Sequence, residues 1–492
     1  MTKTKMKVEV PAVSNERWDD DRFARMRQDV LAQWDTGREA DDLAANLDYL
    51  SALPKSQIWP IALAEYKSRG EMMIVPQIGY ATVEQMVESL QRLGENGAAG
   101  AFIQADPYTR KLRLQEAAKA IDLSYETGKS QLTGYPWINF GVRRSRKMIE
   151  AIRMPLHVNG NNDEDPRLLA EVSLAAGATN NLMFDLRDLL THEKDYPLAQ
   201  RIINNQYICR LASWYTEHGV PIELTAGGMA MACVGSTPGL GIAVAILESL
   251  TAAAQGAKHF SLLLDPQGNL QQDLAAGEVL ERLVRHYFDE FGYRDITLSR
   301  TVYPFTGEWP ASPVAATVLM GWFTMIAAWS GAAWLYTKTP KEAIGTPSTE
   351  SNIDSIQICR YALQVAKAQP YPRTDSFKLE CEMIEAEARA VVDKALEVGD
   401  GDSALGRLRA VEYGSIDVAF PSWEYTKRKV MIGRDSTNAV RWSDPGLLPL
   451  PSNVIEYHKA KISERASAEG KDVLELAIDG VRALGRLPCS AR

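Results

Sequence analysis

A chain of 492 residues with 46% apolar content can bury one large core and still carry a second, smaller region. A net charge of −9 and a pI near 5.4 exclude a nucleic-acid footprint, which needs clustered Lys and Arg to neutralise phosphates. The five cysteines, Cys209, Cys233, Cys359, Cys381 and Cys489, are odd in number, widely spaced and free of any C-x-x-C pair. That pattern argues against a disulfide framework or a zinc site and leads us to expect a reducing cytoplasm, an expectation that the polar first residues, lacking the apolar core of a signal peptide, share.

Residues 19–34 set Phe23, Met26, Val30, Leu31 and Trp34 at helical spacing behind three aspartates that suit the positive end of a helix dipole. From about residue 71 short apolar or β-branched runs alternate with amphipathic helical stretches. The runs are 72–77, 100–106, 132–140, 154–159, 181–186, 221–228, 260–265, 296–303 and 334–338. Among the helices between them, 82–93 carries Met86, Val87, Leu90 and Leu93 on one face behind a capping box of Thr82 and Gln85. Strand then helix, repeated, means parallel strands joined by crossovers, so the expectation is an α/β chain with a (β/α)₈ TIM barrel; an open doubly wound sheet is the alternative. Nine runs compete for eight places, so one of them lies outside the barrel.

The segment 314–335 is uncharged over a length that could cross a bilayer, but Ser312 and Pro313 read as the N-cap and first turn of a helix that Gly331 ends. A helix followed by a buried strand, with no membrane span, is expected. The short basic cluster Arg143, Arg144, Arg146 and Lys147 reads as a solvated helix face. Beyond about 350 the pattern is mainly helical, as over 380–396, then irregular through 412–455. The expected organisation is an N-terminal arm with cap helices over 1–70, the barrel over 71–350 and a C-terminal extension over 351–492.

In a barrel of this kind chemistry collects where strands end. The positions there are Gln77, 106–110, Thr133, Asn159, 185–188, Thr225, Asp265 and Lys338. Walker, G-x-G-x-x-G, H-E-x-x-H and G-x-S-x-G patterns are absent, and the six histidines do not pair at ligand spacing, so no metal site is expected. His157, inside an apolar run, reads as a core histidine. The clearest local signal is T-K-T-P-K-E-A-I-G-T-P at 337–347, which also reads as a capping box of Thr339, Pro340 and Glu342 beside a surface Lys338. In D-P-Y-T-R-K, Arg110 could offer a guanidinium to a carboxylate or serve as an ion-pair partner.

At these two motifs the chain resembles the large subunit of glutamate mutase, or methylaspartate mutase. Matching pieces run in order along the chain: V-L-A-Q-W-D-T-G at 30–37, D-P-Y-T-R at 106–110, R-L-L-A-E at 167–171 and K-T-P-K-E-A-I-G-T-P at 338–347, with a looser match over 380–442. The resemblance implies a barrel that meets a small cobalamin-binding subunit, encloses adenosylcobalamin and a small acid or amino acid, and runs a radical 1,2-rearrangement. It implies that Lys338 and Glu342 hold the adenosyl ribose, and a homodimer of this chain is possible. The carrier subunit's D-x-H-x-x-G is not found here, since no histidine follows an Asp by two positions; a separate small subunit is therefore implied.

The departures fall on substrate recognition. Of three arginines that clamp the family's dicarboxylate, only Arg110 has a match, and the other two positions hold Gln77 and Asn159. Leu182 stands at a family carboxylate, Asp188 and His192 at two tyrosines, and Thr225 at a glutamate. With charged hydrogen bonds worth roughly 1.5–3 kcal/mol each, losing two guanidiniums argues against glutamate. Three readings follow: a mutase for another small amino or carboxylic acid, with new contacts from Arg187, Asp188 or His192; a true glutamate mutase making 3-methylaspartate; or a non-catalytic partner that kept the barrel.

Overall fold

The computed structural model describes residues 12–159, 164–183 and 186–485. Eight short strands, β1 Met73–Ile78, β2 Ala101–Gln104, β3 Leu156–Asn159, β4 Asn180–Met183, β5 Glu223–Ala226, β6 His259–Leu264, β7 Thr297–Val302 and β8 Trp334–Thr337, pair in sequence order and all in parallel. β8 returns to β1, with Met73 opposite Trp334 and Pro76 opposite Thr337, so the sheet is a closed barrel and not an open one. Closure leaves no sheet edge exposed.

The run that does not become a strand is 132–140. Its aromatic and β-branched content suggested one, yet only Tyr135 makes a lone parallel bridge, to Ala105, before helix Trp137–Glu150 begins behind Pro136. The basic cluster accordingly lies within this helix, where Arg143 pairs with Glu39 and Arg146 donates to the Ala175 carbonyl. Thr82 caps helix Val83–Glu95 through the Gln85 N–H at 3.3 Å, but the Gln85 side chain turns to the Gly128 carbonyl, so the reciprocal half of the box is missing.

Helix Pro313–Ser330 is the crossover from β7 to β8: Ser312 accepts from the Ala315 N–H and Gly331 ends it at φ 69°. Its composition and length would suffice for a membrane span, but Ala316, Met320, Phe323 and Ala327 are fully buried against the protein. The eighth barrel helix is Thr349–Ala366, whose Asn352 amide donates to the Gln77 carbonyl at 2.9 Å, so the barrel layer continues past residue 350.

Inside the barrel the floor is aromatic. Phe102 stacks on His157 at 4.8 Å, Trp334 and Tyr336 pack beside them, and the Tyr336 hydroxyl lies 2.8 Å from His157 Nε2. Burial pushes the His157 pKa down to about 3, which makes it a neutral core histidine. Trp59, at the start of helix Trp59–Ser68, closes the bottom by packing on Trp334 at 5.0 Å.

The arm is tied on by a buried ion pair, the extension by helix packing and buried hydrogen bonds. In helix Asp20–Leu31, Arg27 binds Glu171 through two nitrogens at 3.0 and 3.1 Å. The extension is not purely helical: helix Asp375–Val398 lies along Pro238–Ala254 and Leu270–Glu290, and beyond it β9 Met431–Arg434 and β10 Val440–Asp444 form an antiparallel hairpin. From β9, Arg434 reaches across to the Gln267 carbonyl at 2.7 Å and the Gly480 carbonyl at 2.9 Å, gripping the loop that follows β6. Among the described residues no two cysteines form a disulfide, and Cys489 lies outside the described residues.

Candidate active site

The C-terminal ends of the strands form the mouth. Next to β1 and β2 the backbone is packed too tightly for side chains: a Cβ on Gly79 would sit 2.6 Å from Gly134 Cα, and one on Gly134 would sit 2.5 Å from the Asp106 nitrogen. This crossing lets the Tyr135 N–H bond the Gln104 carbonyl at 2.7 Å, and it fixes where β2 ends. Asp106 then caps the short helix Pro107–Arg110, accepting from the N–H groups of Tyr108 at 2.9 Å and Thr109 at 3.1 Å. Burial raises the Asp106 pKa, while these bonds pull it back. Arg110 ends this helix. Its Nε is buried without a hydrogen-bond partner, and among the described residues it makes no ion pair.

Gln77 of β1 and Asn159 of β3 both donate to the Gln104 side-chain oxygen of β2, each at 2.7 Å. Asn159 continues into a cavity of about 20 Å³, whose lining includes Phe102, Leu182, Arg187, Leu263, Tyr303 and Tyr336. Arg187 enters it from the first turn of helix Leu186–His192, donating to the Ala230 carbonyl at 3.0 Å and to Asp188 at 2.8 Å. Behind it Asp265 takes the Thr306 N–H at 3.1 Å and the Thr306 hydroxyl at 2.6 Å. Burial pushes Asp265 up to about 7, and the Thr306 hydroxyl and Arg187 restrain the rise.

Across the mouth, beyond β8, Lys338 is only 8% exposed, and its ammonium lies 5.3 Å from the Tyr303 ring centre and 5.5 Å from that of Trp309. It forms an ion pair with Glu342. Burial alone would lower its pKa, but Tyr303 and Glu342 outweigh that and raise it. The expected helical capping box does not form. Residues 340–344 make a turn in which the Glu342 N–H bonds the Thr339 carbonyl at 3.0 Å, because the carboxylate is drawn to Lys338 instead of to a backbone N–H.

Of the positions singled out from sequence, the structure brings Gln77, Asn159, Leu182, Arg187, Asp188, Asp265, Lys338 and Glu342 to this end of the barrel, with Arg110 on its rim. Three others stay away from the cavity. Thr133 is exposed in the turn before Tyr135, His192 is exposed with its ring on the Thr191 hydroxyl, and Thr225 is buried within the barrel, donating to Asn180 at 3.0 Å. Asp185 lies outside the described residues. Sequence reasoning passed over Gln104, Tyr303 and Trp309. Gln104 and Tyr303 carried a signal, standing at strand ends; Trp309 sits in a loop without a motif.

A family model described as "Methylaspartate mutase E chain (MutE)" matches residues 53–488. Curated relatives match nearly the whole length. The glutamate mutase epsilon subunit of Desulfitobacterium hafniense (strain Y51) is 35% identical over 477 residues, covering 96% of this chain and 98% of its own. That of Treponema denticola is 32% identical, covering 96% and 97%. That of Haloarcula marismortui is 30% identical, covering 93% and 92%. A match that takes in all eight barrel strands and the appended hairpin leaves one conclusion: the chain belongs to the methylaspartate mutase E chain family, a family of isomerases.

Proposed function

We propose that this protein is the large, barrel subunit of an adenosylcobalamin-dependent carbon-skeleton mutase that rearranges a small amino or carboxylic acid. The observation that carries the reading is the Lys338–Glu342 pair, held under Tyr303 and Trp309 at the mouth of a barrel of this family. A carboxylate to accept from hydroxyl groups and an ammonium to donate suit a ribose diol, and the flanking rings suit a nucleoside, so these residues fit the adenosyl end of the cofactor. The corrin itself is assigned to a separate small subunit bearing D-x-H-x-x-G.

When bound, adenosylcobalamin supplies hydrogen-atom abstraction chemistry. What this chain contributes is position and exclusion. Arg110, which makes no ion pair among the described residues, receives a substrate carboxylate; Lys338 and Glu342 hold the ribose; and Phe102, Leu182, Leu263 and Tyr336 keep the floor of the site dry. A closed apolar floor matters to radical chemistry because water and stray hydrogen donors would divert it.

Glutamate itself is the second reading, favoured by the names of the relatives at 30–35% identity. The neutral Gln77 and Asn159 weigh against it. The test is reconstitution of the chain with a D-x-H-x-x-G subunit and adenosylcobalamin, followed by EPR with candidate acids. An organic radical coupled to cobalt(II) is expected with at least one amino or carboxylic acid; a signal with glutamate favours the second reading, and silence with every acid despite complex formation overturns both.

A further inference from the structure

Three neutral amides on neighbouring strands occupy one side of the mouth, and their bonds are arranged around Gln104. Its Oε1 takes both Gln77 Nε2 and Asn159 Nδ2 at 2.7 Å. On the Gln77–Gln104 side of this cluster, Gln77 Oε1, an acceptor, and Gln104 Nε2, a donor, have no partner among the described residues. If all the amide groups are turned over, the roles exchange but a donor and an acceptor still remain side by side.

The cations of the mouth divide unequally. Arg187 is committed to Asp188 and Lys338 to Glu342, while Arg110 alone is without an ion pair among the described residues. One guanidinium can neutralise one carboxylate. A second carboxylate turned toward the amides would lose water with no cation to meet it, and it could use the free donor but would be repelled by the free acceptor. A hydrocarbon end would leave both polar atoms unsatisfied. A carboxamide answers both, donating to the one and accepting from the other as amides pair with each other.

Building on the reading above, we propose that the substrate is an amino acid or acid with a single carboxylate, taken by Arg110, and a carboxamide at its far end, read by Gln77 and Gln104. The probe is L-glutamine, against L-glutamate, equal in length but charged, and L-norvaline, equal in length but apolar. Titration calorimetry on the full chain assembled with its cobalamin subunit should give L-glutamine at least tenfold tighter binding than either competitor. Glutamate or norvaline binding as tightly as glutamine, or no binding of glutamine, overturns the proposal.

The variant Gln77→Arg supplies the missing cation and should turn the preference toward L-glutamate by tenfold or more; an unchanged order of affinities counts against the amide reading. Should that variant not fold, Gln104→Leu removes the hub and should erase the glutamine preference. EPR separates the two levels of the argument. A radical with some acid but no carboxamide preference in binding sinks this inference and spares the mutase, whereas glutamine-selective binding without a radical from any acid does the reverse.

Discussion

Arg441 and Glu380 face each other squarely in the interior of the extension, Nη1 to Oε1 at 2.7 Å and Nη2 to Oε2 at 2.8 Å, with both side chains at most 4% exposed. The pair joins β10 to helix Asp375–Val398, and Asp435 supplies a further carboxylate to the same guanidinium at 2.8 Å. Removing Glu380 would leave the buried Arg441 only Asp435 as counter-charge, at a cost below the roughly 3–5 kcal/mol of a fully stranded buried charge. Glu380→Gln should therefore lower the unfolding midpoint by several degrees. Burial works to raise the Glu380 pKa, but Arg441 more than reverses it, leaving it lowered. The pair therefore stabilises above the ordinary carboxylate range and fades as pH falls through the depressed value. Thermal unfolding at pH 7 and pH 4 should show the Glu380→Gln penalty shrinking in acid.

Glu223, beneath the mouth, behaves in the opposite sense. Burial lifts it to about 7, against the hydrogen bonds it accepts from Ser261 and Ser299. The folded chain thus keeps a proton that the unfolded chain releases near pH 4.5, and stability from this group falls as pH rises from there to about 7, by up to roughly 1.4 kcal/mol per pH unit. Glu223→Gln should flatten this part of the profile and gain on the parent at pH 8. Unfolding midpoints at pH 5, 6, 7 and 8 would reveal it; parallel curves for parent and variant would count against it.

Glu342→Gln keeps the shape of the turn but removes the charge opposite Lys338. We expect turnover by the reconstituted enzyme to drop ten- to a hundredfold, while binding of the small acid at Arg110 changes less than threefold. Steady-state kinetics paired with calorimetry would distinguish this from general damage, which would lower both.

Gly134→Ala tests the backbone crossing. With 2.5 Å to the Asp106 nitrogen, a methyl group must push the cap of helix Pro107–Arg110 outward, and Arg110 moves with it. A loss of at least tenfold in substrate affinity is expected, together with a lowered unfolding midpoint. Gly70→Ala, at a turn where nothing lies within 4 Å, controls for the change of residue type: any cost there comes from its φ of 68° alone, and substrate affinity should be unchanged.

All eight barrel strands were legible as apolar runs because a parallel barrel buries both faces of each strand. The ninth run misled for a physical reason: Tyr135 has the composition of a strand, but Gly134 and Pro136 on either side stop the ladder after one bridge. The hairpin of β9 and β10 escaped notice because four and five residues are too few to establish alternation. At the site, single residues such as Arg110 and Lys338 could be placed by their strand ends. Pairings such as Asp265 with Thr306, or Gln77 and Asn159 on Gln104, join neighbouring strands tens of residues apart in sequence and leave no trace in local spacing. The Glu342 cap was misjudged since a cation four residues back competes better for a carboxylate than a backbone N–H does.

The grip of Arg434 on the loop after β6 has a consequence for how the molecule matures. Synthesis runs from the N-terminus, and all eight strands have been made before β9 exists. The barrel wall can therefore close while the loop next to Asp265 is still unheld, and the Gln267 carbonyl receives its Arg434 partner only once the hairpin has been delivered. The mouth acquires its final shape last, so a nascent chain can be a formed barrel well before it is a competent subunit.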